Sequence, residues 1–260
     1  MSEPIYLWPG TAPFTAECGD QDQPSITPFP VEGARGAVVV CPGGAYAMKA
    51  DHEKWPIAKM FNSQGIAAYV LDYRVSPCTH ETPLGDAKRA IRLVRSMGYE
   101  KVAIIGFSAG GHLCCSAATH YDLGDPDNED PIERISSRPD AFIPCYAVVS
   151  MLEPYGHMYS REMLMGPDKD NEELARYYSN ELQVTKDTPP AFIWHTAEDD
   201  CVPVQNSLIL AHAMAEKGVS FEMHIYPKGY HGLGLAPEWP HESAWRMDCC
   251  NWLLKMGFGV

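Results

Sequence analysis

From Val102 to Ile105 the chain is apolar, and it then passes through Gly106-Phe107-Ser108-Ala109-Gly110 into a stretch of small residues ending at Ala118. That order predicts a buried strand, a sharp turn and a helix, with a serine at the apex. So tight a turn forces unusual backbone angles on the serine. It also presses strand and helix together at the flanks, where only small residues fit, and Gly106 and Gly110 stand there. The G-x-S-x-G string carries little weight alone. Its place between strand and helix is what constrains the fold.

The chain on either side repeats the same alternation. Ala37–Cys41 is a continuous apolar run emptying into Pro42-Gly43-Gly44-Ala45-Tyr46, which reads as a buried strand and a glycine loop. Glu53–Ser63 has helical spacing, Ile66–Leu71 is a second strand, and Leu84–Met97 is amphipathic, with Ala87, Ile91 and Val94 inward. Beyond the Ser108 unit, Asp122–Pro139 is acidic and loop-like, and Ala141–Ser150 reads as a strand bent near Pro144. Ala191–Ala197 and Phe221–Tyr226 are further strands, followed by helices at Val204–Lys217 and Glu242–Lys255. Residues 1–35 read as irregular chain with a short strand near Ile5–Trp8. Strands alternating with helices predict an α/β fold, a mostly parallel sheet with helices on both faces. The expected organisation is a single domain over 1–260. Within it, 151–190 breaks the alternation and reads as a small lid insertion, including a charged helix at Asp168–Tyr178.

At 260 residues and 45% hydrophobic, the chain can build a full core. With 20 Lys+Arg against 34 Asp+Glu and no basic cluster, charge-driven binding to nucleic acid or to anionic membranes is excluded as a function class. No run is long and apolar enough for a membrane span, and Met1–Gly10 lacks the features of a secretion signal. The nine cysteines, several within apolar strands or helices and none in C-x-x-C, predict buried reduced thiols and a cytoplasmic protein.

A serine hydroxyl attacks a carbonyl only with a base beside it, usually a histidine oriented by a carboxylate. In open α/β sheets such groups lie past the C-terminal ends of strands. His231 follows the strand ending at Tyr226 in a glycine-flanked loop, Gly-Tyr-His-Gly-Leu-Gly. Past the strand ending at Ala197 stand Asp199 and Asp200; Asp199 has the D-x-x-V-P spacing to Pro203 and is preferred. His195, inside a strand, reads as a core or supporting residue, His112 as a packing residue, and Asp72 and Asp86 as structural. His157 and His241 read as pocket-lining or exposed. An oxyanion needs two fixed N–H donors. Ala109, at a helix N-terminus, supplies one; Gly44 or Ala45 supplies the other. Tyr46, His157 and Tyr159 are the candidate substrate contacts. No cofactor is required, and no ligand spacing suggests a metal.

Six stretches together resemble one family. They are Leu7-Trp-Pro-Gly, Cys41-Pro-Gly-Gly-Ala-Tyr46, Gly106-Phe-Ser-Ala-Gly-Gly-His112, Asp187-Thr-Pro-Pro-Ala-Phe-Ile-Trp-His195, Asp199 to Pro203, and His231-Gly-Leu-Gly-Leu235. The family is the α/β-hydrolase group of bacterial acetyl-xylan-esterase-like enzymes, and the likeness spans nearly the whole chain. Ala45 departs from it, standing where many members have a third glycine. The resemblance implies the α/β-hydrolase fold and a serine carboxylesterase that removes short acyl groups, acetyl foremost, from carbohydrate esters such as acetylated xylo-oligosaccharides. Ser108 would be the nucleophile, His231 the base and Asp199 its orienter. The implied partner is a small-molecule ester, with no nucleic acid or membrane; a homo-oligomer is compatible with it. Two other classes remain open: a small peptidase or amidase of the prolyl-oligopeptidase-like type, which normally carries a large additional domain, and a non-catalytic hydrolase-fold binding protein.

Overall fold

A computed structural model of the chain describes residues 3–16 and 18–260. Eight strands form one sheet: β1 (Ile5–Tyr6), β2 (Ser25–Phe29), β3 (Gly36–Cys41), β4 (Ala67–Asp72), β5 (Lys101–Phe107), β6 (Ala141–Cys145), β7 (Ala191–Thr196) and β8 (Phe221–Tyr226). Their order is β1-β2-β4-β3-β5-β6-β7-β8. From β4 to β8 every neighbouring pair is parallel; β1 and β2 join antiparallel at one edge. The fold is that of the α/β hydrolases, as the resemblance implied.

Strands this deep are apolar on both faces, which is why β3 reads as an unbroken run. Val38 and Val40 pack on one side, with α1 (Trp55–Asn62) and α7 (Trp245–Lys255), through Ile57, Phe61, Trp245 and Leu253. Ala37, Val39 and Cys41 face the other side, with α2 (Glu81–Ser96), α3 (Ala109–Thr119) and α6 (Gln205–Glu216), through Ile91, Leu113 and Leu210. A column of aromatic rings runs through the first layer, Phe107 to Tyr146 to Trp194 to Trp245, with centroids 5.7, 5.0 and 4.9 Å apart. Such pairs contribute about 0.5–1.5 kcal/mol each beyond simple burial.

Four expectations are revised. Ser25–Phe29 is a strand, not irregular chain. Only Ser25 and Ile26 are covered by β1, so Thr27 to Phe29 lie on the open edge, where Pro28 is tolerated. β6 ends at Cys145 rather than running to Ser150, because Tyr146 turns the chain with φ 34°. The 168–178 helix shrinks to α5 (Glu172–Tyr177), since Asn171 Oδ1 caps it by accepting from the N–H groups of Glu173 and Leu174, both at 3.1 Å. Ahead of it lies α4 (Met158–Met165). Finally, Cys18 and Cys78 form a disulfide, which corrects the reading of all nine cysteines as reduced thiols. They lie 60 residues apart, so no local spacing announces the pair. Six of the other seven are buried, and Cys201 is exposed.

Candidate active site

The turn after β5 carries Ser108 at φ 53°, ψ −118°, a left-handed conformation that a residue adopts only when its surroundings force it. Those surroundings are visible. A Cβ on Gly106 would collide with the Gly110 carbonyl, and one on Gly110 with the carbonyls of Cys41 and Pro42. Ser108 N–H donates to the Cys145 carbonyl and Val148 N–H donates to the Ser108 carbonyl, both at 3.1 Å, so the early end of β6 grips the turn from the side.

Three strand ends converge here. Ser108 Oγ–H donates to His231 Nε2 at 2.8 Å, and His231 Nδ1–H donates to Asp199 Oδ2 at 2.7 Å. Asp199 Oδ1 accepts from the N–H groups of Cys201 and Val202 at 3.0 and 2.9 Å. His195 Nε2–H reaches the Asp199 Oδ2 at 3.2 Å and the Val202 carbonyl at 3.0 Å, while its Nδ1 accepts from Ser207 Oγ–H at 2.8 Å. Burial by itself would push the Asp199 carboxyl up. The hydrogen bonds from His195 and His231 and the Val202 N–H outweigh it and hold Asp199 well below the usual carboxylate range. Asp200, next in line, is exposed and has no such partners among the described residues.

The glycine loop after β3 faces the serine. Gly44, Ala45 and Tyr46 all have positive φ, at 129°, 54° and 60°, which turns their N–H groups out of any regular ladder. Among the described residues the N–H groups of Gly44 and Ala45 donate to no protein atom, and Ala109 N–H, first in α3, has no partner within the helix. All three expected oxyanion donors are therefore available.

What holds this loop in place was not visible in the sequence. Glu53, 2% exposed, accepts from Gly43 N–H at 2.7 Å on one oxygen and from Tyr146 Oη–H at 2.6 Å on the other. Tyr146 Oη in turn accepts from Gly234 N–H at 2.9 Å, and the Tyr146 ring meets the edge of His231 with centroids 5.3 Å apart. One carboxylate thus ties the glycine loop to the loop bearing His231. His52 adds a second tie, donating from Nε2 to the Gly232 carbonyl at 2.9 Å; the Glu53 carboxylate, 3.5 Å from the same nitrogen, raises its pKa.

A cleft of about 360 Å³ opens over Ser108, walled by Gly44, Ala45, Met48, His157, Tyr159, Cys201 and His231. Of the three candidate substrate contacts, His157 and Tyr159 line the cleft. Tyr46 does not. Its ring is buried at 1% exposure, and its hydroxyl donates to His112 Nδ1 at 2.8 Å. His112 Nε2–H passes to the Tyr178 carbonyl at 2.7 Å, and burial lowers the His112 pKa to about 4, so the ring is neutral. The left-handed turn at Tyr46 points its side chain into the core, which makes it a peg for the glycine loop rather than a substrate contact. His241 is exposed, its ring edge-on to Tyr226. Asp86 pairs with Arg74 in the interior and Asp72 with Lys49 at the surface, both structural. Cys201, unremarked in the sequence, stands 3.7 Å from His157 Nε2. Burial, with Asp199 and Asp200 beside it, pushes its thiol up, so it stays protonated.

Fold and site together define a class: the α/β hydrolases. More particularly, the chain belongs to the BD-FAE family, whose model matches residues 27–214. It is 41% identical over 212 residues to endo-1,4-beta-xylanase B of Butyrivibrio fibrisolvens, a match covering 78% of this chain and 33% of that protein. It is 32% identical over 253 residues to an acetylxylan esterase of Xylanibacter ruminicola, covering 92% of this chain and 50% of the relative. The chain therefore spans between a third and a half of the length of these relatives. The crystal structure of an acetyl ester-xyloside bifunctional hydrolase from Caldicellulosiruptor lactoaceticus superposes with a TM-score of 0.94 at 40% identity, over 100% of this chain and 98% of that one.

Proposed function

We propose that the chain is a serine carboxylesterase that removes short acyl groups, acetyl first, from carbohydrate esters such as acetylated xylo-oligosaccharides. The observation that carries this is the unbroken line Ser108 Oγ–His231–Asp199, with links of 2.8 and 2.7 Å, at the floor of a cleft beside unpartnered N–H groups. The acetylxylan esterase of Xylanibacter ruminicola and the acetyl ester-xyloside hydrolase of Caldicellulosiruptor lactoaceticus, by their names, support it.

In this reading His231 Nε2 takes the Ser108 proton as Oγ attacks the ester carbonyl. Asp199 keeps the proton on Nδ1 and stabilises the imidazolium that forms. The developing oxyanion is met by Ala109 N–H and by Gly44 or Ala45 N–H, each worth about 3 kcal/mol in comparable sites. His231 then returns its proton to the leaving alcohol, water repeats the sequence, and acetate departs. Segment 151–190 acts as a lid, bringing His157 and Tyr159 over the acyl position. Glycoside cleavage instead needs two carboxyl groups flanking the bond. Among the described residues Glu53 is the one carboxylate lining the cleft, and both its oxygens are occupied.

The test is acetate release from acetylated xylo-oligosaccharides and from 4-nitrophenyl acetate, with Ser108→Ala alongside. We expect turnover of both, reduced about 10⁶-fold by the substitution while the folded signal persists. Retained hydrolysis in Ser108→Ala would discard the mechanism, and an inactive wild type would favour a binding protein.

A further inference from the structure

Beside the cleft lies a second cavity of about 550 Å³. His52 and Gly232 wall both, so the two adjoin directly across the loop that carries His231. The floor is apolar, with Pro56, Leu233 and Pro237. Its distinctive wall is Tyr230, Glu238 and Trp239.

Tyr230 is 61% exposed although it sits next to His231 in the chain. Its ring meets Trp239 edge to face, with centroids 6.0 Å apart and planes at 75°. In such a pair the ring that offers its edge keeps both faces free of its partner. Tyr230 holds an exposed ring beside a concave apolar floor while Trp239, partly buried, anchors that wall to the core, a combination that suits a ligand with a flat apolar face. Among the described residues, Tyr230 Oη, Trp239 Nε1 and the Glu238 carboxylate make no hydrogen bond or ion pair. The wall thus combines flat apolar faces with unpartnered donors and an acceptor.

That combination matches a pyranose. One side of a sugar ring presents C–H groups whose positive edges suit the negative face of an aromatic ring, and its rim carries hydroxyls that both donate and accept. An alkyl chain would leave the three polar groups unmet, and a free Glu238 carboxylate at its side is a poor neighbour for hydrocarbon. The chain's net charge of −14 disfavours acidic saccharides. Resting on the carbohydrate-ester function above, we propose that this cavity is a subsite for the neutral saccharide backbone of the substrate. Tyr230 and Trp239 pack against a sugar unit next to the acetylated one, one ring by its face and the other by its edge, and Glu238 accepts from its hydroxyls. The acyl group is then held on the His157–Tyr159 side of Ser108 and the glycan on the Tyr230–Trp239 side.

Two measurements decide it. Unacetylated xylotetraose is titrated calorimetrically into Ser108→Ala protein, and into the same protein with Tyr230→Leu or Trp239→Leu added. Separately, kcat/KM on acetylated xylotetraose and on 4-nitrophenyl acetate is compared in wild type and in the single aromatic variants. We expect xylotetraose affinity to fall at least 10-fold with either leucine, and the saccharide-to-aryl ratio of kcat/KM to fall at least as far. No binding of xylotetraose to Ser108→Ala, or equal binding in all three proteins, overturns the subsite. So does an equal fall on both esters, which marks the rings as structural. A fall on 4-nitrophenyl octanoate matching that on the saccharide reassigns the cavity to an acyl tail and likewise overturns it. The carbohydrate-ester function fails by a different result, wild type cleaving 4-nitrophenyl acetate but releasing no acetate from the oligosaccharide; the titration then still decides the cavity.

Discussion

Asp199 and Asp200 are adjacent and chemically identical, yet only Asp199 is gathered in by two histidines and two N–H groups. Asp199→Asn leaves the shape but favours the wrong His231 tautomer, so kcat on 4-nitrophenyl acetate should fall about 10⁴-fold. Asp200→Asn should stay within about twofold, because no bond is lost. The reverse pattern in those two kinetic measurements would shift the register of the site by one residue. Glu53 acts at one remove, through the loop it holds. Glu53→Gln keeps the volume but cannot accept two such bonds as a charged group, so we expect kcat to drop about 10- to 100-fold with KM nearly constant, the mark of misplaced oxyanion donors. A rise in KM with kcat unchanged would instead put Glu53 in substrate binding. His112 matters through pH. Its folded pKa of about 4 lies below the ordinary 6.5, so the unfolded chain binds the proton first as pH falls. Stability from this group is full above about pH 6.5 and is lost as pH drops toward 4, by about 3 kcal/mol in all. Urea midpoints measured from pH 7 to 4.5 should show a shallower decline in His112→Gln than in wild type.

At the scale of elements, the site is made by terminations. β5 ends where Gly106 admits the Gly110 carbonyl, β6 ends where Tyr146 turns, and β7 and β8 end before loops that bring Asp199 and His231 inward. Early termination of β6 matters most, because it frees Tyr146 to link Glu53 with Gly234. Facing these ends, the first turn of α4 and its cap, His157, set His157 and Tyr159 in the same cleft wall as Met48 and Ala45. In the proposed function that side takes the acyl group, and the Ala45 methyl, standing where many family members have a glycine, leaves it less room. Each methylene that does not fit should lower kcat/KM by about 1–3 kcal/mol. Rates on 4-nitrophenyl acetate, butyrate and octanoate should therefore fall steeply along the series, and a flat or rising series would show an open acyl pocket.

At the scale of the whole molecule, the two faces of one sheet are both closed by helices, and the polar chemistry is confined to one sheet end. The aromatic column from Trp245 to Tyr146 runs from the core to the ring of His231, so the catalytic loop is backed by packed side chains rather than by solvent. The Cys18–Cys78 disulfide pins the irregular N-terminal chain to the loop after β4.

Residue order alone specified the α/β alternation, because strands buried on both faces must be written as apolar runs such as Ala37–Cys41. It also specified the Ser108 turn, because a backbone that tight admits only small neighbours, and it ordered serine, acid and histidine past three strand ends. These are local demands, and local sequence carries them. Glu53 and Tyr146 are 93 residues apart, His231 and Ser108 are 123 apart, and the two cysteines of the disulfide are 60 apart. No spacing rule joins such pairs. Whether Tyr46 faced substrate or core, whether Asp199 or Asp200 turned inward, and what fixed the glycine loop were decided only when parallel strands brought distant loops to the same edge, where buried polar groups must find partners or remain unsatisfied.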